Sequence, residues 1–406
     1  MTESFGVYVH VPFCSVRCEY CDFATWTDRE HLIDEYVDAC VTHVQALRDE
    51  GGLPDASSVF FGGGTPSLLP GPTLARLLDA IPRREGAEVS VECNPDSVDE
   101  EKLRTYAAAG VNRVSFGVQS MRAHVLLSLG RTHDRDNVAR AVSAARAAGI
   151  ERINLDLIYG TPGESVADWE ATLTEALALA PEHVSAYALT VEAGTPLGKA
   201  VAAGARPAPD DDDQATKYDL ADDVLAASGR PWYEISNWAQ AGAECRHNLV
   251  YWRQGDYAAV GCAAHGHSRG RRFWNLRTPE RYMEAVRTGA SPEAGEERLD
   301  RREQAAEALT LALRTRAGIK VAGVVADDPR VVAYTDESVG EVVGELVDIG
   351  LLVREDDRVV LTRAGRLLAN EVSARLLGAF DANSDDAPDD SGVEVAFRPA
   401  PTDGTR

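Results

Sequence analysis

Cys14, Cys18 and Cys21 fall within eight residues, in the run Tyr8-Val-His-Val-Pro-Phe-Cys-Ser-Val-Arg-Cys-Glu-Tyr-Cys. Three is an awkward number of thiols. A closed structural zinc site takes four ligands, and disulfides take cysteines in pairs. A cubane iron–sulfur cluster is held by thiolates, one to each iron. With three, one iron keeps an open position where a small molecule can bind. His10 could complete a zinc set, but it lies on a strand-like run before Pro12, away from the usual finger spacing. The first 13 residues show no charged stretch leading into a long apolar one. A cytoplasmic location is therefore expected, where thiols stay reduced and clustered cysteines bind metal or do chemistry. The other four cysteines are scattered, and small buried hydrophobe is the default for Cys40 and Cys93.

Further polar residues stand where apolar ones are the rule. Gly62-Gly63-Gly64-Thr65-Pro66 follows an apolar run, and three glycines let a backbone approach a ligand closely. Glu92, Gln119 and Asp156 lie in or at the ends of strand-like runs, where a carboxylate is costly unless it accepts hydrogen bonds. Downstream, Cys245-Arg246-His247-Asn248 leads into Tyr251-Trp252, an imidazole beside two aromatic rings. A flat apolar macrocycle such as heme takes a His, Cys, Met or Tyr axial ligand. His247 could serve, with Cys245 as the thiolate alternative and His265 and His267 as lesser candidates. Equally, His247 could bond a loop and Trp252 could be core.

The elements that must position these groups alternate. Strand-like runs at 5–11, 58–61, 88–92, 113–118, 152–158 and 183–189 are separated by helical patterns at 30–49, 72–80, 98–109, 134–148, 165–179 and 211–228. Asp99 and Ser165 sit at helix starts as caps, and Gly110, Gly149 and Gly229 at helix ends. Six strand–helix units predict an α/β fold on a parallel sheet with right-handed crossovers. Periodicity alone leaves a partial barrel and a doubly wound sheet open. Either one places the chemistry at the carboxyl ends of the strands.

The C-x3-C-x2-C spacing after a first strand, with Tyr20 just before the last cysteine, resembles the radical S-adenosylmethionine (SAM) superfamily. That resemblance implies a TIM-like partial (β/α)6 barrel and a [4Fe–4S] cluster on Cys14, Cys18 and Cys21, whose free iron chelates SAM. Within the branch that holds the coproporphyrinogen dehydrogenases, it implies SAM contacts from Tyr8, Tyr20, Gly63, Gly64, Thr65, Glu92, Gln119, Arg131, Asp156 and Ala188. Arg131 is carried in Leu129-Gly-Arg-Thr-His133.

Two functions compete inside that branch. One is an oxygen-independent coproporphyrinogen III dehydrogenase acting by radical decarboxylation in porphyrin biosynthesis. The other is the heme-chaperone family HemW. The dehydrogenases carry a further cysteine two residues after the third ligand, where this chain has Phe23, and an N-terminal extension before the first strand. His247-Asn-Leu-Val-Tyr251-Trp252 is similar to the HNxxYW signature of the chaperones. The resemblance therefore implies heme as cargo, His247 as a heme-binding residue and a heme-acceptor protein. A respiratory or transiently membrane-associated acceptor and a homodimer are further expectations.

Four segments are expected: a barrel at 1–230, an extension carrying HNxxYW at 231–298, a winged-helix-like α+β domain at 299–377 and a disordered acidic tail at 378–406. The third rests on helical patterns at 302–313 and 337–349, two strands within 351–361 and a final helix at 362–376. Its second helix carries Glu337, Glu341 and Glu345, so it is not expected to read DNA. The whole chain of 406 residues has 65 acidic against 41 basic residues and a net charge of −24. A phosphate backbone would be repelled by that surface, and no nucleic-acid partner is expected.

Overall fold

A computed structural model of the chain describes residues 4–321, 332–334 and 337–382. Six strands, β1 (Gly6–Val11), β2 (Ala56–Gly63), β3 (Arg83–Cys93), β4 (Arg113–Gln119), β5 (Arg152–Tyr159) and β6 (His183–Ala188), pair in sequence order. All five pairings are parallel. Helices Ile33–Asp49, Gly71–Ala80, Glu100–Ala109, Arg135–Ala147, Val166–Ala178 and Asp211–Ala227 match the periodicity within two or three residues at each end. Their starts are capped as read: Asp99 accepts from the Lys102 N–H at 2.8 Å, and Ser165 forms a capping box with Asp168. Within the six units two short helices were not foreseen, Ala123–Ser128 and Pro196–Ala202. At six and seven residues they are too short to show a 3.6 period.

The strands alternate with opposite polarity on their two faces. Val89, Val91, Val114, Phe116, Leu155 and Leu157 are buried against the helices. Between them, Ser90, Glu92, Ser115, Asn154, Asp156 and Ser185 share the inner face, as the period of two requires. A closed barrel usually fills that interior with branched apolar side chains. Here the lining is polar, and the upper lumen is a cavity.

The segment after residue 230 joins the same sheet at both edges. β7 (Trp232–Glu234) and β8 (Asn237–Ala239) extend it antiparallel beyond β6. β9 (Tyr257–Val260) runs parallel to β1, followed by the antiparallel strands β10 (His265–Ser268), β11 (Arg271–Asn275) and β12 (Glu293–Arg298). The resulting twelve-stranded order is β12-β11-β10-β9-β1-β2-β3-β4-β5-β6-β8-β7. Between the two additions, helix Arg246–Trp252 packs at the N-terminal end of the barrel. Its His247 meets the layer made by Gly6, Ser58 and Glu88, which pair side by side in β1, β2 and β3.

The C-terminal unit has its own core, built on helices Arg301–Leu313, Glu337–Asp348 and Ala369–Ala382. The expected strand pair is present as β15 (Leu352–Glu355) and β16 (Arg358–Leu361). Two three-residue strands not foreseen, β13 (Ile319–Val321) and β14 (Val332–Tyr334), complete a β14-β13-β16-β15 sheet. Most of the expected acidic tail lies outside the described residues, although Ala369–Ala382 carries helix past residue 378. A buried ion pair ties this unit to the barrel. Asp222 accepts from both Arg366 terminal nitrogens, at 2.9 and 2.6 Å, and from Trp238 Nε1 at 2.9 Å. No helix among the described residues is long and apolar enough to cross a membrane.

Candidate functional site

The cysteine loop leaves β1 at Pro12 and is closed by a short ladder. Trp26 N–H donates to the Pro12 carbonyl at 2.8 Å, and Cys14 N–H to the Trp26 carbonyl at 3.0 Å. His10 holds the returning arm. Its Nε2 lies 2.9 Å from the Ala24 carbonyl and must carry the proton, which leaves Nδ1 to accept from Tyr8 Oη at 3.1 Å. The far side of the loop is pinned through Glu19. Its carbonyl accepts from Leu197 N–H at 2.9 Å, and its carboxylate pairs with Arg206 at 2.6 Å.

The glycine run locks this loop to β2. Gly64 N–H donates to the Val11 carbonyl and Thr65 N–H to the Phe13 carbonyl, each at 2.8 Å. Gly63 has φ +108, in the region that disfavours side chains, and a Cβ there would lie 2.5 Å from the His10 ring. A Cβ on Gly64 would lie 2.6 Å from the Phe13 carbonyl and 3.0 Å from Cys14 Sγ. Thr65 Oγ1 reaches the same sulfur at 3.6 Å.

One cavity of about 680 Å³ opens at the carboxyl ends of the strands. Cys14, Cys18, Cys21 and Tyr20 line it from the loop, and Gly63, Gly64, Thr65, Glu92, Gln119, Arg131, Asp156 and Ala188 from the strand ends. Eleven of the residues named for cluster and SAM, together with Ala188, thus face one space. Tyr8 sits just below it, joined through His10. Among the described residues, no three His, Cys, Asp or Glu side chains converge as ligands to a single ion do. A cubane needs its thiolates spread, one to each iron.

The electrostatics explain which groups carry charge there. Burial pushes the Cys14 and Cys21 thiols up, so ionising them needs a metal that competes with the proton. Arg131 donates from Nη1 to Cys18 Sγ at 3.5 Å and from Nη2 to the Gly117 carbonyl at 2.6 Å, while its buried Nε has no partner. Burial, and then the neighbouring charge of Asp156, push the Glu92 carboxyl up to about 8. One edge of Glu92 faces the cavity, so water there tempers that burial. Glu92 also accepts from Gly63 N–H at 3.2 Å. Burial raises Asp156 too, against hydrogen bonds from Ser115 at 2.6 Å and Asn154 at 2.8 Å. Gln119 closes β4 at φ +64, a left-handed backbone that non-glycine residues seldom adopt. Such an outlier at a ligand cavity points to a constraint on where its amide must sit.

His247 lies elsewhere. It is fully buried at the opposite end of the barrel, with Nδ1 3.0 Å from Ser58 Oγ and Nε2 2.8 Å from Tyr251 Oη. Its ring stacks on Phe60 at 5.3 Å. Both nitrogens are occupied, so the structure gives no position for a heme iron at the residue expected to bind one. Cys245 is buried beside Glu88. Sequence reasoning also missed His10, Ser115, Asn154 and Tyr187 as parts of the lumen and cavity. The signal was the alternation of polar residues within strands that had been read as apolar runs.

The parallel barrel, the three-thiol loop and the glycine-lined cavity define a radical SAM superfamily fold. Residues 8–176 match the model of that superfamily, and residues 299–368 match the HemN C-terminal domain. In structure the chain is similar to coproporphyrinogen III oxidase (HemN) from Escherichia coli, with a TM-score of 0.78 over 92% of this chain and 90% of that one. At 20% identity this likeness speaks for the fold alone. In sequence it is 42% identical over 383 residues to the heme chaperone HemW of Mycobacterium tuberculosis, covering 93% of this chain and 95% of the relative. With the Bacillus subtilis heme chaperone HemW it shares 35% identity, covering 92% and 99%. The chain belongs to the HemW family of heme chaperones.

Proposed function

We propose that this protein holds a [4Fe–4S] cluster on Cys14, Cys18 and Cys21, binds SAM in the cavity above the strands, and carries heme to an acceptor protein. The heme-carrying reading rests on the near full-length likeness to heme chaperones. The cluster and SAM reading rests on one observation, the assembly of the three thiols and the strand-end residues around a single cavity.

The residues fit those groups chemically. When bound, the cluster's open iron supplies a position for the amino and carboxylate groups of SAM. Arg131 balances thiolate charge beside Cys18 and has an unpartnered N–H to offer. Ionised when a cationic ligand binds, Glu92 joins Asp156 as a negative wall that suits a sulfonium, and both can accept from hydroxyls. Gly63 and Gly64 bring backbone to the cavity edge, and the Gln119 amide and Ala188 complete the wall. Phe23, where the dehydrogenases carry another cysteine, is 60% exposed at the cavity mouth.

Anaerobic reconstitution with iron and sulfide tests the reading on one sample. Iron bound with SAM-dependent heat, one heme per chain by absorbance, and heme passage to an apo-acceptor are the expected results. Turnover of coproporphyrinogen III would overturn the chaperone reading in favour of the dehydrogenase.

A further inference from the structure

Two carboxyls face the cavity, and the fold treats them differently. Glu92, at the end of β3, accepts one hydrogen bond among the described residues, from the Gly63 N–H at 3.2 Å. Asp156, inside β5, accepts from Ser115 Oγ at 2.6 Å and from Asn154 Nδ2 at 2.8 Å. Facing Asp156 are Glu92 on β3, the buried guanidinium of Arg113 on β4, and Ser185 and Tyr187 on β6. Donated hydrogen bonds and a nearby cation both favour a carboxylate over its acid. When two carboxyls share one space, the one given more donors keeps the charge and the other keeps the proton.

The donors of Asp156 are oriented from below. Asn154 Nδ2 lies 2.7 Å from Ser115 Oγ and 2.9 Å from Ser185 Oγ, and its amide oxygen lies 2.6 Å from His183 Nδ1. Turning the amide over would set that oxygen against Asp156 Oδ1, acceptor on acceptor. Since an amide oxygen only accepts, His183 Nδ1 carries the proton, and Nε2 is left to accept from Tyr233 Oη at 2.8 Å. Tyr233 Oη accepts in turn from the Cys245 N–H at 3.2 Å, which leaves its own proton for the imidazole. Every donor in this chain points one way, from the barrel floor to Asp156. Tyr233, His183 and Asn154 are buried, and none of them lines the cavity.

We propose that Tyr233, His183 and Asn154 are positioning residues that hold Asp156 as the fixed negative charge of the SAM site, leaving Glu92 as the carboxyl that takes up and releases a proton. This rests on the SAM reading above and divides the work between its two carboxyls. The test uses the full-length, cluster-loaded chain carrying Glu92→Gln, so that Asp156 alone of the pair can titrate. Infrared spectra with isotope-labelled aspartate, assigned against Asp156→Asn, read whether Asp156 is acid or carboxylate from about pH 6 to 9. Glu92→Gln alone is expected to show the carboxylate throughout, and a SAM affinity that does not vary with pH. Adding Asn154→Leu is expected to bring up the acid band and a tenfold or larger loss of SAM affinity toward the acid end. Adding Tyr233→Phe instead, three hydrogen bonds away from Asp156, is expected to move the same band by less, and it decides the matter if Asn154→Leu does not fold. An Asp156 that stays ionised in both double variants overturns the assignment, as does an acid band in Glu92→Gln alone. Uniformly weaker SAM binding across that range overturns it too, by reducing Asn154 to packing. A parent chain that binds no SAM overturns the SAM reading, while the infrared readout still decides the charge on Asp156.

Discussion

Arg131 sets its guanidinium between Cys18 Sγ, at 3.5 Å, and the carbonyl of Gly117, at 2.6 Å. One side chain thus ties the cysteine loop to the end of β4. The approach is close, since a Cβ on Gly117 would lie 3.1 Å from Arg131 Nη2.

A hydrogen bond and a positive charge at a thiolate favour the reduced, more negative cluster. Arg131→Gln should lower the midpoint potential of the reconstituted cluster by on the order of 60 mV, the equivalent of a tenfold change in a one-electron equilibrium. EPR-monitored redox titration reads this directly. An unchanged potential would show that the contact positions the loop without tuning it.

Gly64 leaves no room for a methyl group between the Phe13 carbonyl and Cys14 Sγ. Gly64→Ala should therefore displace Cys14 and cut bound iron at least severalfold. Gly194→Ala, where a Cβ meets nothing within 4 Å and φ is ordinary, is the matched control and should retain full iron. Iron and sulfide assays per folded chain decide it.

Glu92 couples SAM binding to pH. With its carboxyl pushed up to about 8 by burial and by Asp156, it is protonated at neutral pH before ligand binds. A cationic ligand prefers the carboxylate. Affinity should rise with pH and level off above about 8, with a proton released on binding below that point. Calorimetry in buffers of different ionisation enthalpy measures the proton. Glu92→Gln should bind about tenfold more weakly and abolish the pH dependence (~1.4 kcal/mol per tenfold).

Acid should destabilise the fold through its buried imidazoles. Burial lowers His247 to about 3 and His43 to about 4, against 6.5 in the unfolded chain. Between those values the unfolded state binds protons that the folded state refuses. The contribution of each such histidine is then full above about 6.5 and falls as pH drops toward the folded value, by about 1.4 kcal/mol per pH unit. Buried His183 acts in the same sense and the raised carboxyls of Glu92 and Glu234 in the opposite one, so the His247 share is read by difference: between pH 6 and pH 5 the urea-unfolding slopes of the parent and of His247→Gln should differ by about 1.4 kcal/mol per pH unit. An equal slope in parent and variant would mean that His247 is not held neutral.

Much of the cavity was legible because its groups are local. A cysteine spacing, a glycine triplet and a polar residue at a strand end each lie within a few residues of their own strand, and a parallel sheet gathers such ends at one edge. Phe23 was legible in the same way, as an aromatic residue where a relative carries sulfur. The polar lumen was less so. Ser115 and Asn154 were present in the alternation, but a mixed run such as Asn154-Leu-Asp-Leu does not say which face is inside until neighbouring strands pair.

The local sequence by itself determined the strand–helix units, their caps and the three-thiol loop, since each depends on spacing along one stretch of chain. Only the tertiary structure decided the fate of the distant histidines. His247 and His265 are eighteen residues apart in the chain, and both stood as heme candidates. Pairing of β9 with β1 sends the helix before it to the barrel floor and starts β10 at the opposite end. That pairing spans some 250 residues of sequence, and no local period records it. It fills both nitrogens of one imidazole with Ser58 and Tyr251 and leaves the other facing solvent beside Trp274.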